Sequence, residues 1–166
     1  MAEIVCFGEV MLRLTTPHFS TLADATSLDI TFGGAEANVA VQLAQFGRDA
    51  AFVSRLPENG LGDRCIGELR GRGVDTRAVL RGGQRMGVYF LEPGVGQRPG
   101  KVTYDRQNAA ICEMQPGMVD WSAVLDGAKW FHWSGITPAL SAGCAALCAE
   151  ACEAARSRGV TVSFDV

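Results

Sequence analysis

The residues best suited to chemistry stand in the stretch FGGAEANVA, residues 32–40, where two adjacent glycines precede an alanine-rich run with one asparagine. The first N–H groups of a helix have no partner inside the helix, and glycine lets a ligand approach the main chain without interference from a Cβ atom. Asn38 would lie in the first turns, where its amide offers both donors and an acceptor. Gly33, Gly34 and Asn38 therefore suit a ligand with many hydroxyl groups. A plain strand-to-helix turn with a solvent-facing Asn38 is the alternative.

Cysteine and histidine side chains suggest a second chemistry, metal binding, but their spacing argues against it. Cys144, Cys148 and Cys152 recur every four residues and so share one helical face. A metal site needs deprotonated thiolates and usually a partner from another element, and no neighbouring Cys-x-x-Cys or histidine pair is offered. We expect these thiols to be reduced and packed in the core, and His132, which stands among aromatic residues, to be a packed strand residue. No metal ligand is therefore predicted.

Composition limits the classes of partner. The chain has 166 residues, of which 48% are hydrophobic and 20% charged, enough for one domain with a sizeable core. A net charge of −3 gives no basic footprint for nucleic acid. No apolar run is long enough to span a bilayer, and residues 1–14 lack the pattern of a secretory leader. We therefore expect a cytoplasmic protein with neither nucleic acid nor membrane as partner.

Hydrophobic periodicity predicts an α/β fold with two kinds of sheet. The predicted strands cover residues 3–7, 10–14, 28–32, 50–56, 86–91, 101–106, 129–134 and 160–166. The predicted helices cover residues 36–46, 61–72, 120–125 and 141–158, the last two capped by Asp120 and Ser141. Alternating strands and helices indicate parallel β–α–β units, and the remaining segments indicate a separate small sheet laid over that layer. Those segments lie near residues 10–14, 28–32, 86–92 and 101–106.

Spacing also predicts which faces of the first two helices are apolar. In the helix over 36–46, Val39, Leu43 and Phe46 share one face. The inward positions of the helix over 61–72 are expected to be Leu61, Cys65, Ile66 and Leu69.

Several stretches together resemble a known family. GGAEANVAVQLAQFG followed by FVSRLPENGLG resembles the N-terminal signature of the PfkB (ribokinase-like) carbohydrate kinases, and GVYFLEPG, VTYDR and SGITPAL resemble its 2-keto-3-deoxygluconate kinase branch. The likeness covers nearly the whole chain in the same order. It implies a Rossmann-like parallel sheet flanked by helices, with a small β-sheet lid that closes over the sugar. In this family the lid often pairs with a second subunit, so a homo-oligomer through the lid is also implied.

The resemblance also implies which residues contact the sugar. They are Gly33, Gly34, Asn38, Tyr89, Tyr104, Arg106 and Ile136, the last through its main chain. Arg106 would hold a substrate carboxylate through a two-pronged, charge-assisted contact. Alternatives stay open for each: Arg106 as a surface charge paired with Asp105, the tyrosines as ordinary strand packing, and Ile136 as part of a loop.

The activity implied by the resemblance is ATP-dependent phosphorylation of a sugar acid, 2-keto-3-deoxygluconate in particular, with ATP and Mg²⁺ as cofactors of the full-length enzyme. The motif GLGD at residues 60–63 looks like the family's catalytic Gly-x-Gly-Asp but belongs to the early signature, so no catalytic residue is assigned. The chain ends at VSFDV, where the family continues into its nucleotide half, and Asp165 would at most help to shape the magnesium environment. Residues 1–166 are therefore expected to be the N-terminal, sugar-binding part of a truncated kinase domain and to be inactive alone.

Two other functions remain compatible with these motifs. One is another PfkB kinase: ribokinase, fructokinase or a related acid-sugar kinase. The other is non-catalytic: a truncated paralogue that binds a sugar acid, or an assembly module that dimerises through its lid.

Overall fold

Two sheets, one parallel and one mixed, organise residues 2–166, the part of the chain that the computed structural model describes. The strands are β1 (Ile4–Phe7), β2 (Met11–Thr15), β3 (Asp29–Gly33), β4 (Ala50–Leu56), β5 (Val79–Arg81), β6 (Val88–Glu92), β7 (Lys101–Asp105), β8 (Trp130–Ser134) and β9 (Thr161–Asp165). The larger sheet has the order β5-β4-β1-β8-β9, and all its neighbours pair in parallel. The predicted parallel α/β layer is confirmed.

Helices cover both faces of the parallel sheet. They are α1 (Ala35–Gln45), α2 (Gly60–Gly71), α3 (Trp121–Val124), α4 (Ile136–Ala139) and α5 (Ala142–Ser157). Side chains alternate across the central strand β1, so that Val5 and Phe7 join the core beneath α5, whereas Ile4 and Cys6 join the core beneath α1 and α2. A strand that is buried on both faces reads as the continuous apolar run seen at the start of the sequence.

The small sheet has the order β3-β2-β6-β7. Strand β2 pairs antiparallel with β3 and parallel with β6, and β6 pairs antiparallel with β7. Leu12 of β2 packs into the same core cluster as Ala37 of α1, so the small sheet lies against the α1 side of the parallel layer. The predicted small sheet is thus confirmed, with each strand within two residues of its predicted position.

Some expectations about apolar faces were wrong. Phe46 is 72% exposed because it follows the last residue of α1, and the chain turns away there through Gly47 at φ +77°. The side chains of α1 that are buried are Glu36, Ala37 and Ala40, with Val39 and Leu43 packed at the margin. Leu61 lies in the first turn of α2 and is 39% exposed, whereas Cys65, Ile66 and Leu69 are buried as predicted.

The cysteines pack as small apolar residues. All six are free, and Cys144 and Cys148 of α5 are buried in the core with Cys152 at its margin. Burial raises the pKa of Cys6 and of Cys148 to about 12, so these thiols stay protonated at neutral pH. None of the helices within residues 2–166 is long and apolar enough to cross a membrane.

Candidate functional site

A cavity of about 380 Å³ opens at the carboxyl ends of three neighbouring parallel strands. The residues that follow or end these strands line it, namely Glu9 after β1, Ser134 at the end of β8 and Asp165 at the end of β9. Strand β4 lies on one side of β1 and strand β8 lies on the other, so the connections that leave this edge of the sheet run in opposite directions. Open α/β sheets place their ligand sites at such a point, because divergent connections leave a crevice there.

The start of α1 forms one wall of this cavity. Gly34 is the N-cap, and no side chain caps the helix, so the free N–H groups of its first turn lie at the cavity. A Cβ atom at Gly34 would stand 1.9 Å from the main-chain oxygen of Glu9, and one at Gly33 would stand 2.6 Å from the Tyr89 hydroxyl oxygen. Gly34 is therefore required by a main-chain contact within the protein itself, a reason that the sequence did not reveal, whereas a side chain at Gly33 would require Tyr89 to move.

Arg106, directly after β7, brings a positive charge to the cavity from the small sheet. Its Nη2 donates to Oε2 of Glu9, and the side chain of Glu9 is 4% exposed while that of Arg106 is 18% exposed. The Arg106 guanidinium carbon also lies 5.5 Å from the centre of the Tyr104 ring, within the range of a cation–π contact. The alternative of an Arg106–Asp105 surface pair is wrong, because Asp105 pairs with Arg85 at 2.9 Å.

Glu9 is the part of this site that the sequence analysis missed. Burial raises the pKa of its carboxyl above the ordinary range, although the nearby Arg106 guanidinium acts in the opposite direction. Its second oxygen, Oε1, is buried without a hydrogen-bond partner, and a Cβ atom at Gly87 would come within 2.3 Å of that oxygen. The signal that could have found Glu9 is its position, since a carboxylate directly after a buried parallel strand stands at the carboxyl edge of the sheet.

Glu36 is a second buried carboxylate beside the cavity. Its Oε1 accepts hydrogen bonds from the Ser134 amide at 3.1 Å, the Ser134 hydroxyl at 2.7 Å and the Thr137 hydroxyl at 2.6 Å. A Cβ atom at Gly8 would stand 2.2 Å from the Glu36 carboxyl carbon, so glycine is needed there as well. Glu36 thereby ties the first turn of α1 to the segment after β8. An acidic residue in a first helical turn reads from sequence as a solvent-facing group, which is why this role was not predicted.

The sequence-predicted site residues fall into three places. The cavity is lined by Gly34, Tyr104, Arg106 and Ile136. Gly33 and Asn38 line a neighbouring groove of about 190 Å³, together with Arg13. Tyr89 lies between strand neighbours, with its ring centre 5.9 Å from that of Tyr104. Ile136 begins the short helix α4 rather than a loop.

The other residues considered for chemistry lie elsewhere. The side chain of Asp63 is exposed on α2 and pairs with Arg81 at 2.8 Å, and Asn59 is the residue that caps that helix. His132 lies within β8, where its Nδ1 is 3.0 Å from the Ser163 hydroxyl oxygen. Within residues 2–166, no three histidine, cysteine, aspartate or glutamate side chains come together as a metal site.

Comparisons with known proteins show which family and which folds this chain resembles. The profile of the pfkB family carbohydrate kinases matches residues 1–166. A 2-dehydro-3-deoxygalactonokinase of Haloferax volcanii is 40% identical over 165 residues, which are 99% of this chain and 52% of that protein. The crystal structure of 2-dehydro-3-deoxygluconokinase from Thermotoga maritima is 51% identical with a TM-score of 0.98, covering all of this chain and 51% of that one.

A more distant structure shares only the fold. The structure of a sugar kinase from Pyrococcus horikoshii in complex with ATP is 22% identical and has a TM-score of 0.85, covering 98% of this chain and 52% of that one. The chain thus spans about half the length of the relatives that it matches.

Proposed function

Because this chain belongs to the pfkB family of carbohydrate kinases, we propose that it forms the sugar-binding part of an ATP-dependent kinase for 2-keto-3-deoxygluconate, also called 2-dehydro-3-deoxygluconate. The observation that carries the proposal is the position of Arg106, a cation at the cavity beside the open first turn of α1. A guanidinium and a helix N-terminus both favour an anionic group, and this sugar acid carries one carboxylate. The names of the similar enzymes support the same substrate class.

The roles proposed for the site residues follow from their chemistry. The Arg106 guanidinium binds the substrate carboxylate, and the main-chain groups of Gly34 and Ile136 bind hydroxyl groups from the two walls of the cavity. Tyr104 covers the sugar with its ring, and Tyr89 supports it from the adjacent strand. Gly33 and Asn38 contact a hydroxyl group that reaches the neighbouring groove. Together these groups orient one hydroxyl for phosphorylation.

We place the nucleotide contacts in the part of the kinase domain that this chain does not span. We assign residues 1–166 to the sugar-binding part of the kinase domain, and their segments near 10–14, 28–32, 86–92 and 101–106 to a lid. ATP bound with Mg²⁺ would supply the phosphoryl group, and the ATP complex of the Pyrococcus horikoshii kinase supports this cofactor. Asp165, whose strand end lines the cavity, would at most help to shape the environment of that ion. The lid excludes water from the oriented hydroxyl.

A phosphorylation assay tests the proposal. The full-length protein with ATP and Mg²⁺ is expected to phosphorylate 2-keto-3-deoxygluconate with a higher kcat/KM than D-fructose or D-ribose. A preference for either neutral sugar would contradict the assignment. The 166-residue chain alone is expected to give no turnover above a no-enzyme control. Turnover by that chain would contradict the proposal that residues 1–166 bind the sugar but do not suffice for phosphoryl transfer.

A neutral sugar is the second candidate, because Glu9 already pairs with Arg106. A site whose guanidinium is neutralised in this way also accommodates fructose or ribose, the substrates of related kinases. The same assay separates the two candidates, since only the sugar acid requires the charge of Arg106.

The small sheet is also proposed to carry a homo-oligomer contact. Strand β7 is an edge strand of the small sheet, all five of its residues are exposed, and one of them, Val102, is an apolar side chain exposed by 43%. Light scattering of the full-length protein is expected to give a dimer or larger assembly, and the substitution Val102→Asp is expected to shift it toward monomer. A monomeric wild-type protein would contradict this contact.

A further inference from the structure

We propose that the substrate carboxylate replaces the carboxylate of Glu9 on the Arg106 guanidinium, and that Glu9 takes up a proton in this exchange. This inference rests on the proposed function, because it requires an anionic substrate at Arg106. It makes Glu9 a residue that positions Arg106 and competes with the substrate carboxylate for it, although Glu9 need not touch the sugar.

The Arg106 guanidinium is already paired with an anion of the protein, the carboxylate of Glu9. Glu9 Oε2 accepts from Nη2 of Arg106, and both side chains are largely withdrawn from solvent. The Nε atom of Arg106 is buried without a partner, so the guanidinium is held by one of its ends only. An incoming carboxylate that forms a two-pronged contact must therefore share or replace the bond to Glu9.

The surroundings of Glu9 disfavour its charge once that bond is lost. Its Oε1 already lies buried without a hydrogen-bond donor. A buried carboxylate that loses its only cationic partner is costly, and protonation removes that cost.

The other charged and titratable groups described around Glu9 bring no second cation. Glu36 of α1 is a second buried carboxylate whose charge raises the pKa of Glu9. Burial raises the pKa of the Cys112 and Cys144 thiols, the charge of nearby Glu9 adds to this, and neither thiol carries a positive charge. Tyr104 and Asp165 line the same cavity, and among the described residues that line it Arg106 is the one cation. A substrate carboxylate thus adds negative charge to a site with a single compensating arginine.

The sign of the pH dependence follows from this exchange. The carboxyl of Glu9 has a raised pKa in the free protein and a still higher one when the substrate occupies Arg106. Binding therefore takes up a proton between these two pKa values, and the affinity falls as pH rises through that window, by at most about tenfold per pH unit for one proton. A site in which Arg106 binds both anions and Glu9 keeps its negative charge shows neither effect.

Calorimetry of the full-length protein tests this directly. The binding enthalpy of 2-keto-3-deoxygluconate is measured at several pH values from about pH 5 to about pH 8, each in buffers of different ionisation enthalpy, which gives the number of protons taken up. We expect a fraction of one proton within the window and a Kd that rises with pH. Uptake below one-tenth of a proton at every pH, with a constant Kd, would overturn the exchange.

Two variants assign the proton to Glu9. Glu9→Gln keeps the size of the side chain but cannot titrate, so we expect its uptake to vanish and its Kd to become independent of pH. Glu113→Gln removes a carboxylate that pairs with Arg55 outside the cavity and is expected to keep wild-type uptake. Undiminished uptake in Glu9→Gln would overturn the assignment, and if that variant fails to fold, the wild-type measurement still decides whether exchange occurs. If the wild-type protein binds no sugar acid at all, the proposed function fails and this inference fails with it.

Discussion

Arg106 and Glu9 determine what the candidate site can recognise at the scale of single residues. One is the cation that an acidic sugar would need, and the other is a buried carboxylate that holds this cation in the absence of substrate. Arginine suits the role better than lysine, because its planar guanidinium can contact two carboxylate oxygens at once and still keep its charge when buried. The site should therefore discriminate by charge, and the loss of Arg106 should affect acids more than neutral sugars.

Replacing Arg106 by alanine tests this discrimination. Loss of a charge-assisted contact costs about 1.5–3 kcal/mol, so we expect the Kd for 2-keto-3-deoxygluconate to rise by roughly 10-fold to 150-fold. The Kd for D-fructose should change by less than about threefold, because a neutral sugar forms no ion pair with Arg106 that the substitution could remove. Arg85→Ala is the matched control, since Arg85 lies just before β6 of the same small sheet but pairs with the exposed Asp105. Equal losses for both ligands would show that Arg106 does not bind a carboxylate.

Replacing Gly34 by alanine tests the close contact at the start of α1. The added Cβ would stand 1.9 Å from the main-chain oxygen of Glu9, so backbone must move, and we expect a loss of about 2 kcal/mol or more in the free energy of unfolding. Gly67→Ala is the control, because Gly67 lies inside α2 with no atom within 4 Å of an added Cβ, and it should stabilise by about 0.5–1 kcal/mol. Urea unfolding of the two variants measures both values. Similar stabilities would contradict the packing described at Gly34.

Helix α1 and the strand ends are the elements that bring the site together. The glycine pair, the change from strand to helical spacing and the Asp120 and Ser141 caps all predicted elements that the structure contains. Such features depend on neighbours in sequence, and for that reason they are readable from it. The contacts of Glu36 with Ser134 and Thr137 join residues about a hundred positions apart, and no local sequence pattern predicts them. The three-residue strand β5 was also missed, because so short an element has no measurable periodicity.

Glu36 is expected to hold the first turn of α1 to the segment after β8. Its removal in Glu36→Ala leaves the Ser134 and Thr137 donors without their acceptor in a buried place, at a cost of about 2–3 kcal/mol. Glu36→Gln keeps an acceptor oxygen and should lose less than half of that. Glu150→Ala is the control, since Glu150 accepts a single exposed bond from the Gly117 amide and should change stability by less than about 0.5 kcal/mol. Thermal unfolding of the three variants checks this order, and equal effects of Glu36→Ala and Glu150→Ala would contradict it.

At the scale of the whole molecule, the candidate site lies where the parallel sheet and the small sheet meet. The parallel sheet supplies the strand ends and the start of α1, and the small sheet supplies Tyr104 and Arg106. The sequence predicted both sheets, and it predicted four residues that line the shared cavity. It did not predict that Gly33 and Asn38 line the neighbouring groove, because the division between the two spaces depends on how the small sheet packs against α1. The chain spans about half the length of its relatives, and the role proposed for this half is sugar binding.

A crystal structure of the full-length protein with 2-keto-3-deoxygluconate tests this account most directly. We predict that the substrate carboxylate lies within hydrogen-bond distance of the Arg106 guanidinium, at about 2.7–2.9 Å, and that a sugar hydroxyl approaches the main chain at the start of α1. Electron density for the sugar acid in any other part of the molecule, with Arg106 still bound only to Glu9, would contradict the central claim.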